Sequence, residues 1–572
     1  SEMCIRDRKY PILMLRTPYS LGGYGADDYR PDLGPSEKLA KDGYIFVYQD
    51  VRGRWKSEGD YVHVRPVIPA KRGPGDVDET TDTYDTIDWL VRNVPNNNGR
   101  AGMWGVSYPG FYAAMDLINA HAALKAVSPQ APIGDWFMGD DWRHNGVFFL
   151  AHAFNFFAGF SMKFPQPGTF QPPHFEHGTP DGYEFFLRMG PLAAADPKHF
   201  RGEAPYWREL IEHDIYDDYW KTRNIRPHLK NIKPAVMTVG GWFDAEDIFG
   251  PLNIYRTIEK SSPGIHNMLV MGPWPHGGWN GDSAGDKLGD VRFDSKTSAF
   301  YRDEIEYSFF THHLKGRGEM TLPEAYVFET GTNAWRKYGA WPPRNTVEKT
   351  FYFHAAGKLG DQVPADAAEA AFDEYISDPA KPVPFIGGTF IGMEYAYMLA
   401  VQRFASRRAD VLVYQTGDLE EDLTLAGPLK ASLHVSTTGT DSDWVVKLID
   451  VYPDNFPDLK DAPPGLRMGG YQQLVRGEPF RGKFRNSFEK PEPFEPGKIA
   501  KVEFTLPDVN HCFRRGHRIM VHVQSSWFPL TDRNPQKFMP IHLATEADFQ
   551  KATQRVYRSK SSPSAIVVQV LK

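Results

Sequence analysis

Two stretches of this chain, residues 10–133 and 227–321, alternate short apolar runs with amphipathic helical segments. That rhythm restricts the fold more than any other feature. In the first stretch PILMLRT (11–17), GYIFVYQDV (43–51) and RAGMWGVS (100–107) read as buried strands. Between them TYDTIDWLVRNV (83–94) places Ile87, Leu90 and Val91 on one helical face, and YPGFYAAMDLINAHAAL (108–124) is a second helix. LKAVSPQAPI (124–133) is a further strand. The second stretch repeats the pattern with strands PAVMTVGGWF (234–243) and HNMLVMGPW (266–274) around helix DIFGPLNIYRTIEK (247–260). A parallel sheet covered by helices on both faces is the fold such alternation predicts.

The intervening residues break the rhythm. They are rich in Phe, Trp and His, contain the Pro-rich loop PQPGTFQPPH (165–174), and read as a helical insertion. After about residue 322 the runs become short, β-branched and divided by Pro, Gly and Asp, as in KASLHVSTT and DWVVKLIDVY, which predicts a sandwich or jelly roll. The expected organisation is one α/β domain over 9–133 and 227–321, a helical cap over 134–226, and a β-sandwich over 322–572.

Composition excludes several classes. The 65 basic and 72 acidic residues give a net charge of −7 without a Lys/Arg run, which disfavours nucleic acid. No stretch reaches the ~18 apolar residues of a membrane helix. Two cysteines, Cys4 and Cys512, cannot build a disulfide framework or a Cys-based metal centre. HFEH (174–177) and THH (311–313) lack a third ligand at suitable spacing, so no metal site is expected. LGGYG (21–25) lacks the strand–turn–helix setting of a phosphate loop. The opening residues SEMCIRDRKY show no feature of a signal peptide.

The chemistry concentrates at Ser107. A serine between a strand and a helix, flanked by Gly105 and Gly110, fits a nucleophile elbow, where glycine gives the sharp turn its backbone room. The second glycine comes one position later than usual, with Pro109 in a first helical turn that tolerates it. A plain strand-to-helix turn is the alternative. An acid and a histidine should follow, each after a later strand. Asp244 and His276 stand there in that order, although a loop histidine taken alone is more often simply solvated.

These segments resemble the cocaine-esterase/NonD hydrolase superfamily, which includes Xaa-Pro dipeptidyl-peptidases, glutaryl-cephalosporin acylases and α-amino-acid ester hydrolases. The resemblance rests on RTPY (16–19), YQDVRGRWKSEGDY (48–61), GMWGVSYPG (102–110), GGWFDAED (240–247), GPWPH (272–276) and DWVVKLIDVYPD (443–454). It implies an α/β-hydrolase domain with a cap and a C-terminal jelly roll, and a Ser107–Asp244–His276 triad. It also implies an oxyanion hole formed by the Tyr108 N–H and the Tyr19 hydroxyl. Without the resemblance, Tyr19 reads as a buried tyrosine. Arg52 and Glu58 are expected to be structural.

A narrower resemblance, to the α-amino-acid ester hydrolases, implies that three carboxylates bind a substrate ammonium. MGDDW (138–142) and DAED (244–247) supply Asp141, Glu246 and Asp247, Asp141 being chosen over Asp140 by the family's spacing. The alternative is that Asp244, Glu246 and Asp247 merely cap the helix that follows.

The expectation is therefore a cofactor-free serine hydrolase acting on α-amino acyl esters or amides with a free α-amine, its partner a small-molecule ester or amide or a short peptide, with no nucleic-acid partner and no membrane insertion. Homo-oligomerisation is left open. A dipeptidyl-peptidase, a broad carboxylesterase, or a non-catalytic binding protein built on the jelly roll are the alternatives. Relatives with strands before RTPY imply an incomplete N-terminus, and their export implies a periplasmic or secreted location.

Overall fold

The computed structural model describes residues 9–28, 30–73, 75–160, 167–169, 174–366 and 371–572. Most of the Pro-rich loop 165–174 and the segment SEMCIRDR, with Cys4, lie outside the described residues.

Eight strands form the first sheet: β1 (Tyr10–Thr17), β2 (Ile45–Asp50), β3 (Asn97–Val106), β4 (Leu124–Gln130), β5 (Ala235–Gly241), β6 (Asn267–Gly272), β7 (Ala325–Glu329) and β8 (Ala334–Tyr338). Their order is β8–β7–β6–β5–β4–β3–β1–β2. Every pair is parallel except β7 with β8. Strands β5 and β6 are buried along their whole length, as their near-continuous apolar sequences require of a sheet covered on both faces. Helix α1 (Glu79–Asn93) starts at Asp78, whose carboxylate accepts the N–H groups of Thr80 and Thr81 while the Thr81 hydroxyl satisfies the Asp78 N–H. It buries Ile87 and Leu90 as its periodicity predicts. Helix α2 (Tyr108–Met115) follows β3, and α7 (Phe249–Ser261) follows β5.

The strand order reverses at β1. The chain passes from β1 to β2 on one side, then returns to β3 on the other, which opens a crevice at the carboxyl ends of β1 and β3. Tyr19 follows β1 and Ser107 follows β3, so the fold alone brings them together.

The insertion begins with three two-residue strands between Gly139 and Phe148 and continues in helices α3 (Leu150–Phe157), α4 (Gly182–Met189), α5 (Pro205–Glu212) and α6 (Asp218–Arg223). Phe154 is the hub of its aromatic core, meeting Phe185, Phe186, Phe200 and Trp207 at ring separations of 4.8–6.0 Å.

The C-terminal region is all-β, an eleven-stranded sheet among the described residues running from Thr346 to Leu571. The first two strands after residue 322, β7 and β8, pair into the first sheet. Helix α8 (Tyr307–Lys315) is the crossover that carries the chain from β6 to its parallel neighbour β7, and β8 closes that edge as a hairpin.

Candidate active site

Ser107 has φ 67° and ψ −127°, a conformation a non-glycine residue holds only where its surroundings force it. Its N–H donates to the Gln130 carbonyl at 3.0 Å, and its carbonyl accepts from Phe111 N–H at 2.9 Å. Both flanking glycines are needed. A Cβ on Gly105 would lie 2.3 Å from the Pro109 carbonyl oxygen, and one on Gly110 2.2 Å from that of Gln130. Strand, turn and helix are pressed together, and this holds the serine in its strained conformation.

Asp244 follows β5 and is buried; its Oδ1 accepts the N–H groups of Glu246 and Asp247, each at 2.9 Å. His276 follows β6, and its Nδ1 lies 3.0 Å from both oxygens of Asp244. Burial lowers the imidazole's basicity, but Asp244, Glu246 and Asp141 outweigh it and push the pKa up to about 10.

Tyr19, Ser107, His152, Glu246, His276 and Tyr395 all line one cavity of about 500 Å³. The loop carrying Tyr19 is pinned by Arg54 Nε and Trp55 Nε1, which donate to the Pro18 carbonyl at 3.0 and 2.9 Å. The DVRGRW motif thus acts as a brace. Burial, then the charges of Asp141 and Glu246, hold the Tyr19 phenol well above its ordinary pKa, so it stays a donor. The Tyr108 hydroxyl is occupied elsewhere: it accepts from Val64 N–H at 3.1 Å and pairs with His63 Nδ1 at 2.8 Å.

The two aspartates of GDDW divide their work. Asp140 accepts backbone N–H groups from Gly134, Asp135 and Gly250 at 2.8–2.9 Å. Asp141, with φ 48°, turns the other way; Trp136 Nε1 donates to its Oδ2 at 2.9 Å, and its Oδ1 lies 3.2 Å from His152 Nε2. Glu246 Oε1 accepts from the Tyr395 hydroxyl at 2.7 Å, and Oε2 lies 3.3 Å from His276 Nε2 and 3.9 Å from His152 Nε2. Asp247 is fully buried, and neither of its oxygens has a hydrogen-bond partner among the described residues. Burial, then the carboxylates of Asp141, Asp140, Asp244 and Glu246, raises its pKa well above the usual range.

Asp244, Glu246 and Asp247 do not cap the helix by side-chain hydrogen bonds. Helix α7 starts at Phe249 with Ile248 as its cap residue, and the side chain bonded to its first turn is Asp140, 110 positions earlier. Asp244 instead braces its own turn.

Two titratable cavity residues carried no sequence signal. His152 lies on α3 and stacks on Trp142 at 5.0 Å, and no motif marks it. Tyr395 comes from the β-rich region, 149 positions from its partner Glu246. Arg52 is bound to Asp82, and the Glu58 carbonyl accepts Gly53 N–H, as expected of structural residues. Donor atoms of Asp141, His152 and Glu246 lie within 4.8 Å of one another, as do those of Glu246, Asp247 and His276.

The family model described as X-Pro dipeptidyl-peptidase (S15 family) matches residues 6–278, and the X-Pro dipeptidyl-peptidase C-terminal non-catalytic domain matches 318–567. A cocaine esterase from Rhodococcus sp. (strain MB1 Bresler) is 26% identical over 586 residues, covering 99% of this chain and 94% of that protein. The solved structure of an aminopeptidase from a marine sediment archaeon, Thaumarchaeota archaeon, superposes with a TM-score of 0.90 at 37% identity, covering 99% of this chain and 92% of that one. That of a selenomethionine-labelled α-amino acid ester hydrolase gives 0.89 at 38%, covering 98% and 92%.

Proposed function

The chain belongs to the X-Pro dipeptidyl-peptidase (S15) family of serine hydrolases, and from that premise we propose that Ser107 is its nucleophile, His276 its general base and Asp244 the acid that orients the base. Ser107 Oγ attacks the acyl carbonyl and forms an acyl-enzyme. His276 takes the hydroxyl proton through Nε2 and returns it to the leaving group. Asp244, accepting from Nδ1, holds the ring in the tautomer this requires. The Tyr19 hydroxyl and the Tyr108 N–H stabilise the developing oxyanion.

The substrate class is an α-amino acyl ester or amide with a free ammonium. One observation carries this: Glu246 shares a cavity with Ser107, its donor atoms lie within 4.8 Å of those of Asp141 and His152, and Asp247 stands beside it within the same distance of His276. A unit charge at ~4 Å is worth about 4 kcal/mol at an effective dielectric of 20, enough to select a cation. The names of the relatives at 37% and 38% identity, an aminopeptidase and an α-amino acid ester hydrolase, are in keeping with that class.

The test has two parts. A fluorophosphonate should label Ser107 and fail to label Ser107→Ala. The ratio of kcat/KM for an α-amino ester to that for its des-amino analogue should fall roughly tenfold or more in Asp141→Asn, the loss expected for one charged hydrogen bond. An unchanged ratio would make the enzyme a general esterase.

A further inference from the structure

His276 faces a carboxylate at each end of its ring. Nδ1 meets Asp244 at 3.0 Å and Nε2 meets Glu246 Oε2 at 3.3 Å. An ionised carboxylate only accepts, so an imidazole placed between two of them carries both its protons. The pKa of about 10 agrees with that geometry. Nε2 is also the nitrogen that a serine hydrolase needs free to receive the nucleophile's proton. In this geometry the base is protonated, and both of its nitrogens are engaged.

Glu246 is held in this position from outside the hydrolase domain. The Tyr395 hydroxyl, from the loop of the β-rich region that walls the cavity, donates to Oε1 and leaves Oε2 turned to His276. The other titratable groups near the ring are Asp141 from the start of the cap, His152 from α3, Asp247 beside Glu246, and Tyr19.

We propose that Glu246, positioned by Tyr395, locks His276 as an imidazolium, and that the ammonium of the substrate opens the lock by taking the Glu246 carboxylate for itself. This rests on the reading that the carboxylate cluster accepts an α-ammonium. The charges balance: one cation enters, and the proton on Nε2 leaves to bulk water. Neutral Nε2 then accepts the Ser107 hydroxyl proton. Recognition and activation become one event, and an ester without an ammonium binds to an enzyme whose base stays protonated. Tyr395 acts here as a positioning residue and Glu246 as a switch.

Calorimetric binding to full-length Ser107→Ala at pH 6.5, in two buffers of different ionisation enthalpy, counts the protons released. The ligands are phenylalanine methyl ester and methyl 3-phenylpropanoate. The α-amino ester should release half a proton or more and the des-amino ester none. Adding Glu246→Gln should cut the release below a tenth of a proton, and Tyr395→Phe should reduce it. His152→Gln should leave it in place; loss in His152→Gln with retention in Glu246→Gln would assign the proton to His152 and overturn the proposal. With Ser107 intact, Glu246→Gln should raise kcat/KM for the des-amino ester at pH 7 at least tenfold and move its profile to lower pH. The ceiling is on the order of 10³, the change in neutral fraction if the imidazole returns to ~6.5. Selective binding of the α-amino ester without proton release would overturn the lock while leaving the ammonium site standing. If the two esters bind equally, the ammonium reading fails, and the des-amino profile of Glu246→Gln still decides whether Glu246 restrains His276.

Discussion

The Asp141 N–H donates to the Glu246 carbonyl at 2.9 Å, and one residue on either side Asp140 and Asp247 form an isolated antiparallel bridge. This short β contact joins the entry to the cap with the loop after β5. It aligns carboxylates that lie more than 100 positions apart in sequence, so the cluster exists only once cap and sheet are assembled.

The two aspartates at the cap entrance should therefore respond differently to mutation. Asp140→Ala removes the acceptor from three buried backbone N–H groups, each costing about 1–3 kcal/mol when left unpaired. Its melting temperature should drop by several degrees. Asp141→Asn should melt close to wild type and lose selectivity for α-amino esters instead. Scanning calorimetry beside ester kinetics separates the two, and a reversed pattern would exchange their roles.

Gly110→Ala should damage the elbow and, through it, the reactivity of Ser107, whose own side chain is unchanged. Its Cβ would sit 2.2 Å from the Gln130 carbonyl, so α2 must move away from β4. Overpacking of this kind costs about 1–3 kcal/mol. Fluorophosphonate labelling should slow at least tenfold with a lower melting temperature. Gly73→Ala, where nothing lies within 4 Å of the new atom, should change neither and serves as the control.

Tyr19→Phe should keep the fold and lose rate. The ring packs edge-on against Phe160 at 5.2 Å, and phenylalanine preserves that contact. Only the hydroxyl disappears. Loss of one oxyanion donor typically lowers kcat by 10²–10³. A variant with kcat within threefold of wild type would remove Tyr19 from the oxyanion site.

The elbow was legible in the sequence because its signals are local: an apolar strand, a serine, two glycines and a helix within a dozen residues. The alternating runs likewise announced the parallel sheet. What stayed hidden depends on distant partners. No spacing rule links Tyr395 to Glu246 or singles out His152 on α3. The same gap produced the capping alternative, since three acids before a helix look like a cap until Asp140 is found bonded to Gly250. The sheet to which β7 belongs stayed hidden for a different reason: a lone parallel strand after a helix and a strand of a β-rich region share one composition, and only pairing with β6 tells them apart.

Asp247 is the group whose burial should be visible in stability. It is fully buried, its oxygens are unpartnered among the described residues, and its folded pKa lies well above the ordinary value. The sign follows from proton counts. Above the unfolded value of ~3.9, the unfolded chain has released this proton while the native state still holds it. The native state then binds more protons than the unfolded one, so stability falls as pH rises from about 4 towards the raised folded pKa, and stays lower beyond it. Asp247→Asn keeps the shape and removes the titration. The variant should therefore gain little at pH 4 and melt higher than wild type at pH 7 to 8, where it no longer carries the wild-type loss of stability from this titration. It should also bind α-amino esters more weakly, because one of the three carboxylates can no longer become charged when the ammonium arrives. Stability gained where recognition is lost is the expected trade at a site built to hold unpaired charge. Calorimetry across that pH range decides it: equal melting shifts at pH 4 and pH 8 would mean that Asp247 holds no proton in the folded enzyme that the unfolded chain has lost.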